Sequence, residues 1–284
     1  MPDLRRRSQR CPPAASRSNA VYLLPQEDLV VRLAPDTPLR RRRAQTCIDV
    51  TRWLATHSEP IALPPAPGRQ PVIAAGAIAT LWPYRSTTPS PSLADLAVPL
   101  RHLHALPAPP FLIPRYQPLQ RLFEAVNLDQ QRPQPAIAND DRAWLLDRAN
   151  TLVDTFTTTS FPLGEGLGHA DAHSENLVRD PDHGQWLLID WDGACLGPRE
   201  LDLLTGIPDH FQEPEADRTQ FLTAYGYNIL DGPGWTLLRD VTELHALGAY
   251  IRLAPSKQAA ADELHHRIQS LRTGDRSAHW HAIP

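Results

Sequence analysis

HADAHSENL, residues 169–177, and LLIDWDG, residues 187–193, decide how this chain is read. The first stretch packs two histidines, an aspartate, a glutamate and an asparagine into nine residues, and Asp190 follows Asn176 by fourteen positions at the end of an apolar run. Three chemistries compete. As a zinc cluster, His169, Asp171 and His173 alternate and would face one metal only on an extended strand; the Ser-Glu-Asn continuation and the hairpin downstream fit that less well. As a polar turn the stretch needs no further partner. As a phosphoryl-transfer loop it must supply a base for the attacking hydroxyl and oxygen ligands for Mg²⁺, with a cation on the phosphates arriving from elsewhere. His169-x-Asp171-x-x-x-x-Asn176 has the spacing of the H-x-D-x-x-x-x-N loop. LVRDPDHGQWLLID, residues 177–190, reads as a hairpin turning at 180–184, which brings Asn176 beside Asp190 where both can reach one metal.

The cation has to come from an earlier strand. NAVYLL and LVVRL, separated by the turn-like PQED, form a predicted hairpin. The only lysine is Lys257, far down the chain, so Arg32 of VVRL takes the position; its charge is permanent and its planar fork suits phosphate. TCIDVTRWLA spaces Ile48, Trp53 and Leu54 as a helix, and PVIAAGAIATLWPY reads as a second hairpin around Ala75–Gly76. Residues 1–15 read as a flexible tail, 16–84 as a small sheet with one helix, and RSTTPSPS as the connector to a larger lobe over 85–284. In that lobe Leu93, Leu96, Leu100 and Leu103 recur at helical spacing after Ser92, with Pro99 awkward inside. A second helix runs from Asp141, capped by Asn139 or Asp140, and the chain after Arg199 is largely helical in pattern. The expected fold class is α+β: a small antiparallel sheet with one helix, then a mainly helical lobe.

Composition narrows the class. The 284 residues allow one large or two small domains. Three scattered cysteines, Cys11, Cys47 and Cys195, make no disulfide framework or zinc-finger spacing, and the basic N-terminus lacks an apolar signal core, so a cytoplasmic protein is expected. No apolar run reaches the roughly 18 residues of a membrane span. Residues 101–284 carry 15 basic against 25 acidic side chains, which disfavours nucleic acid as a partner and suits a cationic small molecule. A monomer or weak dimer is expected. Position 170 is Ala, and only eleven residues separate Asp190 from Asp202, too few for an activation loop and a peptide platform. The acceptor is therefore expected to be a small molecule.

SNAVYLL, LVVRL, TRWLA, TLWPY, LRHLHAL, HADAHSENL, LLIDWDGACLGPRELDL and FLTAYGYNI together give the chain, from about Asn19 to about Arg252, a resemblance to the aminoglycoside phosphotransferase family of small-molecule kinases with a protein-kinase-like, bilobal fold. The resemblance implies Asp171 as catalytic base, Asn176 and Asp190 as Mg²⁺ ligands, and Arg32 as phosphate anchor; Asp192, two residues on, reads as a second metal contact rather than a solvated turn residue. It also makes Leu81–Tyr84, with Leu81, Trp82 and Tyr84, the adenine-binding connector, and has Asp202 brace the catalytic loop. It implies ATP or GTP as phosphoryl donor. There are departures. The first-strand loop AASRSNAV has no glycine, so Ser18 and Asn19 would have to donate to phosphate. The helix glutamate that pairs with the strand cation aligns with Cys47, leaving Gln45 or Asp49 as substitutes. A nucleotide- or substrate-binding protein without turnover is the alternative these departures raise. His173, Asp209 and Glu213 are candidate acceptor contacts, with aminoglycosides, amino sugars and choline-like amines among the compounds that fit.

Overall fold

The computed structural model describes residues 20–204, 210 and 214–283; Ser18, Asn19, Asp209 and Glu213 lie outside these. In chain order the elements are β1 (Ala20–Leu24), β2 (Leu29–Pro35), α1 (Pro38–Leu54), β3 (Val72–Ala74), β4 (Ala77–Pro83), α2 (Ala97–Ala105), α3 (Gln120–Gln130) and α4 (Asn139–Thr158). There follow β5 (Glu165–Gly168), β6 (Leu177–Arg179), β7 (Trp186–Leu188), β8 (Cys195–Pro198), α5 (Glu215–Tyr225), α6 (Trp235–Leu253) and α7 (Gln258–Thr273). The class is α+β, as expected. Two compact units divide the chain: one comprises the described residues up to Ser90 together with Asn176–Ala194, the other Pro91–Glu175 and the described residues from Cys195 on.

In the first unit β1, β2, β4 and β3 form an antiparallel sheet in that order. β2 is interior, and Arg32 lies opposite Val21 on one side and Thr80 on the other. The β3–β4 turn has positive φ at Ala75 (50°) and Gly76 (75°), the two left-handed residues a tight hairpin of matching twist requires. α1 begins well before the apolar stretch that announced it. Thr37 caps it by accepting the Arg40 amide at 3.3 Å, with Pro38 at the first helical position. The arginine run at 40–43 hid this start, because it contributes no apolar periodicity. Beyond β3 the edge of β4 is covered by Gln70, whose side chain accepts the Leu81 amide at 2.7 Å, and by the Ala66 amide, which donates to the Leu81 carbonyl at 2.9 Å. The β6–β7 hairpin forms where expected, with Leu177 opposite Leu188. It is fastened into this unit by Leu188 N–H to the Ile61 carbonyl (2.8 Å) and Leu63 N–H to the Leu188 carbonyl (3.1 Å).

The second unit is built on α3, α4, α6 and α7, whose Leu122, Val126, Leu145, Leu152, Val241, Leu247 and Ile268 are buried in one cluster. Full burial contributes about 1.5–3 kcal/mol per large aliphatic side chain. Pro99 stands third in α2, in the first turn where no amide partner is lost, so it does not break the helix. The cap expected at Asn139 or Asp140 is not used: Ala138 precedes the first turn, and the Asn139 carboxamide oxygen accepts from Arg142 at 2.8 Å. β5 and β8 pair antiparallel with Gly166 opposite Gly197, and the 114–116 segment adds to β8 through Tyr116 N–H to the Leu196 carbonyl at 2.8 Å. Among the described residues no helix is long and apolar enough to cross a membrane.

Candidate active site

In the first unit, the hairpin ladder continues one step past β6 and β7: Ile189 N–H donates to the Asn176 carbonyl at 2.9 Å, setting buried Asn176 next to Asp190. Asp190 has φ 64°, a left-handed conformation that aspartate tolerates better than most side chains, and it turns the chain into the short helical turn at Trp191–Gly193. Trp191 is fully buried and donates its indole N–H to the Leu188 carbonyl, fixing that turn. Two carboxylates on the turn meet the strand cation: Arg32 Nη2 donates to Asp190 Oδ1 at 2.7 Å and to Asp192 Oδ2 at 3.0 Å. Burial opposes the arginine's charge, but Asp192 and Asp190 outweigh it and hold its pKa above the ordinary value.

This donor set fits Mg²⁺. Asp190 and Asp192 already converge on one cationic nitrogen, and with the Asn176 carboxamide they offer only hard oxygens. The zinc alternative has no counterpart: the described residues hold no cluster of three or more His, Cys, Asp or Glu side chains placed to share a metal.

Cys47 is buried on α1 facing this arrangement; burial first, then the charge of Asp192, pushes its thiol far above the ordinary value, so it carries no charge toward Arg32. Neither expected substitute takes its place, because Gln45 Nε2 donates to Asp49 Oδ1 at 2.8 Å on the exposed face of the helix. In the Leu81–Tyr84 connector, Leu81 has its amide and carbonyl engaged by Gln70 and Ala66, and the Tyr84 amide donates to the Asp28 carbonyl at 2.7 Å. The buried Trp82 indole is satisfied by Thr80 Oγ1 at 2.9 Å, while the Tyr84 side chain is exposed.

In the second unit, β5 delivers the chain into His169–Asp171. Asp202 is buried and accepts the amides of His169 and Ala170, each at 2.7 Å, and the Nε2 of His104 at 3.1 Å. His104 Nδ1 stands 2.7 Å from the Tyr225 hydroxyl, so the ring bridges Tyr225 and Asp202. Burial raises the Asp202 pKa, but the hydrogen bond and charge of His104, with His169, outweigh it, and the carboxyl titrates below its ordinary range. Gly168 makes room for the clamp, since a Cβ there would sit 3.3 Å from Asp202 Oδ2. Ala170 then takes φ 58°, and Asp171 stands exposed at the tip while His173 is half-buried. Sequence reasoning missed His245 on α6. Burial, then the neighbouring Arg121, push it down to about 4 against the pull of Asp171, so it is neutral at physiological pH within electrostatic reach of that carboxylate. No motif marks it, because a histidine in a helical apolar pattern reads as ordinary packing.

Solved structures share this fold at low identity. A choline/ethanolamine kinase family protein from Mesorhizobium loti is 14% identical with a TM-score of 0.63, covering 92% of this chain and 87% of its own. APH(2")-IIia, solved as its GDP and kanamycin complex, is 14% identical with a TM-score of 0.59 and 92% coverage of both chains. Spectinomycin phosphotransferase, solved with ADP and spectinomycin, is 16% identical with a TM-score of 0.58, covering 93% of this chain and 87% of its own. Sequence comparison with curated proteins finds no match. The sequence profile of the phosphotransferase enzyme family matches residues 10–241, a span that runs from ahead of β1 into α6, and the chain belongs to that family.

Proposed function

We propose that this small-molecule kinase transfers the γ-phosphoryl group of ATP to an acceptor hydroxyl, with Asp171 as the base and Mg²⁺ held by Asn176 and Asp190. The observation that carries this reading is the meeting of the Arg32 guanidinium with Asp190 at 2.7 Å on a turn whose ladder also presents Asn176. In this reading the phosphate cation and the metal carboxylate belong to one unit. Mg²⁺, when bound, offsets charge on the transferring phosphoryl group. Arg32 binds phosphate oxygens with its fixed fork. Asp171 orients the acceptor hydroxyl and takes its proton as the oxygen attacks. Asp202 keeps the loop backbone in place for that transfer through its two amide bonds. The Leu81–Tyr84 connector is the adenine side of the site, with the exposed Tyr84 ring as its accessible part. ADP and GDP in the two structural relatives keep GTP open as the donor. The acceptor is sought among aminoglycosides, amino sugars, choline-like amines and other alcohols.

General-base catalysis contributes roughly 10²–10⁴ in rate. Asp171→Ala should lose that much turnover in an ADP-release assay run across this acceptor panel, while MgATP still raises its melting temperature. Wild-type-like turnover in the variant would remove Asp171 from the role. The rival reading, a nucleotide-binding protein without turnover, starts from the neutral Cys47; it predicts a MgATP thermal shift and no product with any acceptor.

A further inference from the structure

Cys47 leaves the strand cation without the acidic partner on α1 that kinases of this architecture use to hold it, yet Arg32 is not left unpaired. The same nitrogen, Nη2, is gripped by Asp190 at 2.7 Å and Asp192 at 3.0 Å. These two contacts are not equivalent. In the proposed reaction Asp190 is claimed by the metal, and a carboxylate that ligates Mg²⁺ has less charge to offer a guanidinium. Asp192 is the partner that remains. It sits on the Trp191–Gly193 turn, which is packed against α1 beside buried Cys47 and held from below by the buried Trp191 indole. The turn is covalently continuous with β7, itself fastened to residues 61 and 63. The two α1 side chains expected to substitute for the acid, Gln45 and Asp49, are closed on each other.

We propose that Asp192, rather than a side chain of α1, is the positioning residue that holds Arg32 in its phosphate-binding pose. The inference rests on Arg32 acting as phosphate anchor. It assigns to Asp192 a task distinct from metal ligation, with both partners carried by the sheet and hairpin of one unit.

The test is a double-mutant cycle on nucleotide binding, read by calorimetry with ADP in EDTA and again over a Mg²⁺ titration. Asp192→Asn and Arg32→Met should each weaken metal-free ADP binding by about tenfold, in the middle of the range for residues in direct contact. The double variant should be no weaker than Arg32→Met alone, and the Mg²⁺ concentration at half-effect should be unchanged in Asp192→Asn. Asp192→Glu, which keeps the carboxylate, should recover most of the lost affinity and guards against a folding artefact. Unchanged metal-free affinity in Asp192→Asn with a raised Mg²⁺ requirement would make Asp192 a metal ligand and overturn the proposal. Fully additive losses in the double variant would overturn it as well. In both cases the kinase reading stands, because wild-type protein still binds nucleotide. Wild-type protein that binds no nucleotide in either condition would instead remove the kinase reading and the inference with it.

Discussion

At the scale of the residue, the 169–176 loop depends on one buried carboxylate. Asp202 accepts two amides and an imidazole N–H with no exposure to water, and a buried acceptor with such partners is costly to remove. Asp202→Ala should lose about 3–5 kcal/mol of stability in urea denaturation, together with turnover. Its pKa lies below the ordinary carboxylate value in the folded protein. The stability it contributes is therefore complete above about pH 4 and is lost as pH falls through the folded-state value. The gap between wild type and Asp202→Asn should accordingly close on acidification below pH 4, and a gap constant with pH would contradict the clamp. Ala170 supplies a second residue-scale test. At φ 58° a β-branched side chain is strained by about 1–3 kcal/mol, so Ala170→Val should fall in that range while Ala170→Gly stays near neutral, both measured by thermal melting. The H-x-D-x-x-x-x-N spacing made the loop legible from the sequence. The left-handed turn at Ala170 was not legible, since alanine carries no mark of positive φ.

At the scale of the element, the sequence announced those segments that carry alternation or helical spacing of apolar residues: both N-terminal hairpins, the 177–190 hairpin and the helical C-terminal part. It was silent about β5, β8 and α3. β5 and β8 read EGLG and CLGP, too short and too rich in glycine for a strand pattern, and their glycines are needed for another reason. A Cβ at Gly166 would lie 2.7 Å from Arg199 Nε, and one at Gly197 2.8 Å from Tyr116 Cβ. α3 packs its Leu122 and Val126 against α6, and α6 thins at Gly248 to admit it. A Cβ there meets the Arg121 carbonyl at 3.4 Å and Leu122 Cα at 3.6 Å. Ordinary van der Waals contact of that kind tolerates one methyl group and nothing larger. Gly248→Ala should be close to neutral, because the gain in helix propensity offsets slight crowding, whereas Gly248→Leu should cost about 1–3 kcal/mol by overpacking. Equal stability of the two variants in guanidinium unfolding would show that α3 and α6 do not approach this closely.

At the scale of the whole molecule, the family match ends at residue 241, but the chain beyond it is built into the second unit. Composition recorded the acidic excess of this part of the chain but not its pairing, which arises from residues far apart in sequence. Glu243 on α6 is fully buried and accepts two bonds from Arg276 Nη1 at 2.7 and 2.6 Å, with His210 Nε2 3.8 Å away. Trp280 stacks on His210 at 4.3 Å between ring centres, and the His281 amide donates to Glu263 at 2.8 Å. Residues 275–283 therefore act as a strap held by one buried ion pair and one buried ring. Burial pushes the Glu243 carboxyl up despite the opposing pulls of Arg276, His210 and Arg239. Arg276→Met removes the strongest of those pulls and leaves the buried carboxylate without its ion-pair partner, which at neutral pH costs about 3–5 kcal/mol. The sign with pH follows. An acid whose folded-state value is raised is neutral in the fold and charged in the unfolded chain over the interval between the two values. Stability is then lost as pH rises above the ordinary glutamate value near 4.3. Protonation of Glu243 spares the cost on the acid side of that interval. Urea unfolding of Arg276→Met should thus show a deficit against wild type that is smallest on the acid side and grows as pH rises above the ordinary glutamate value. A deficit that shrinks over the same interval would mean that Glu243 is not the group the strap neutralises.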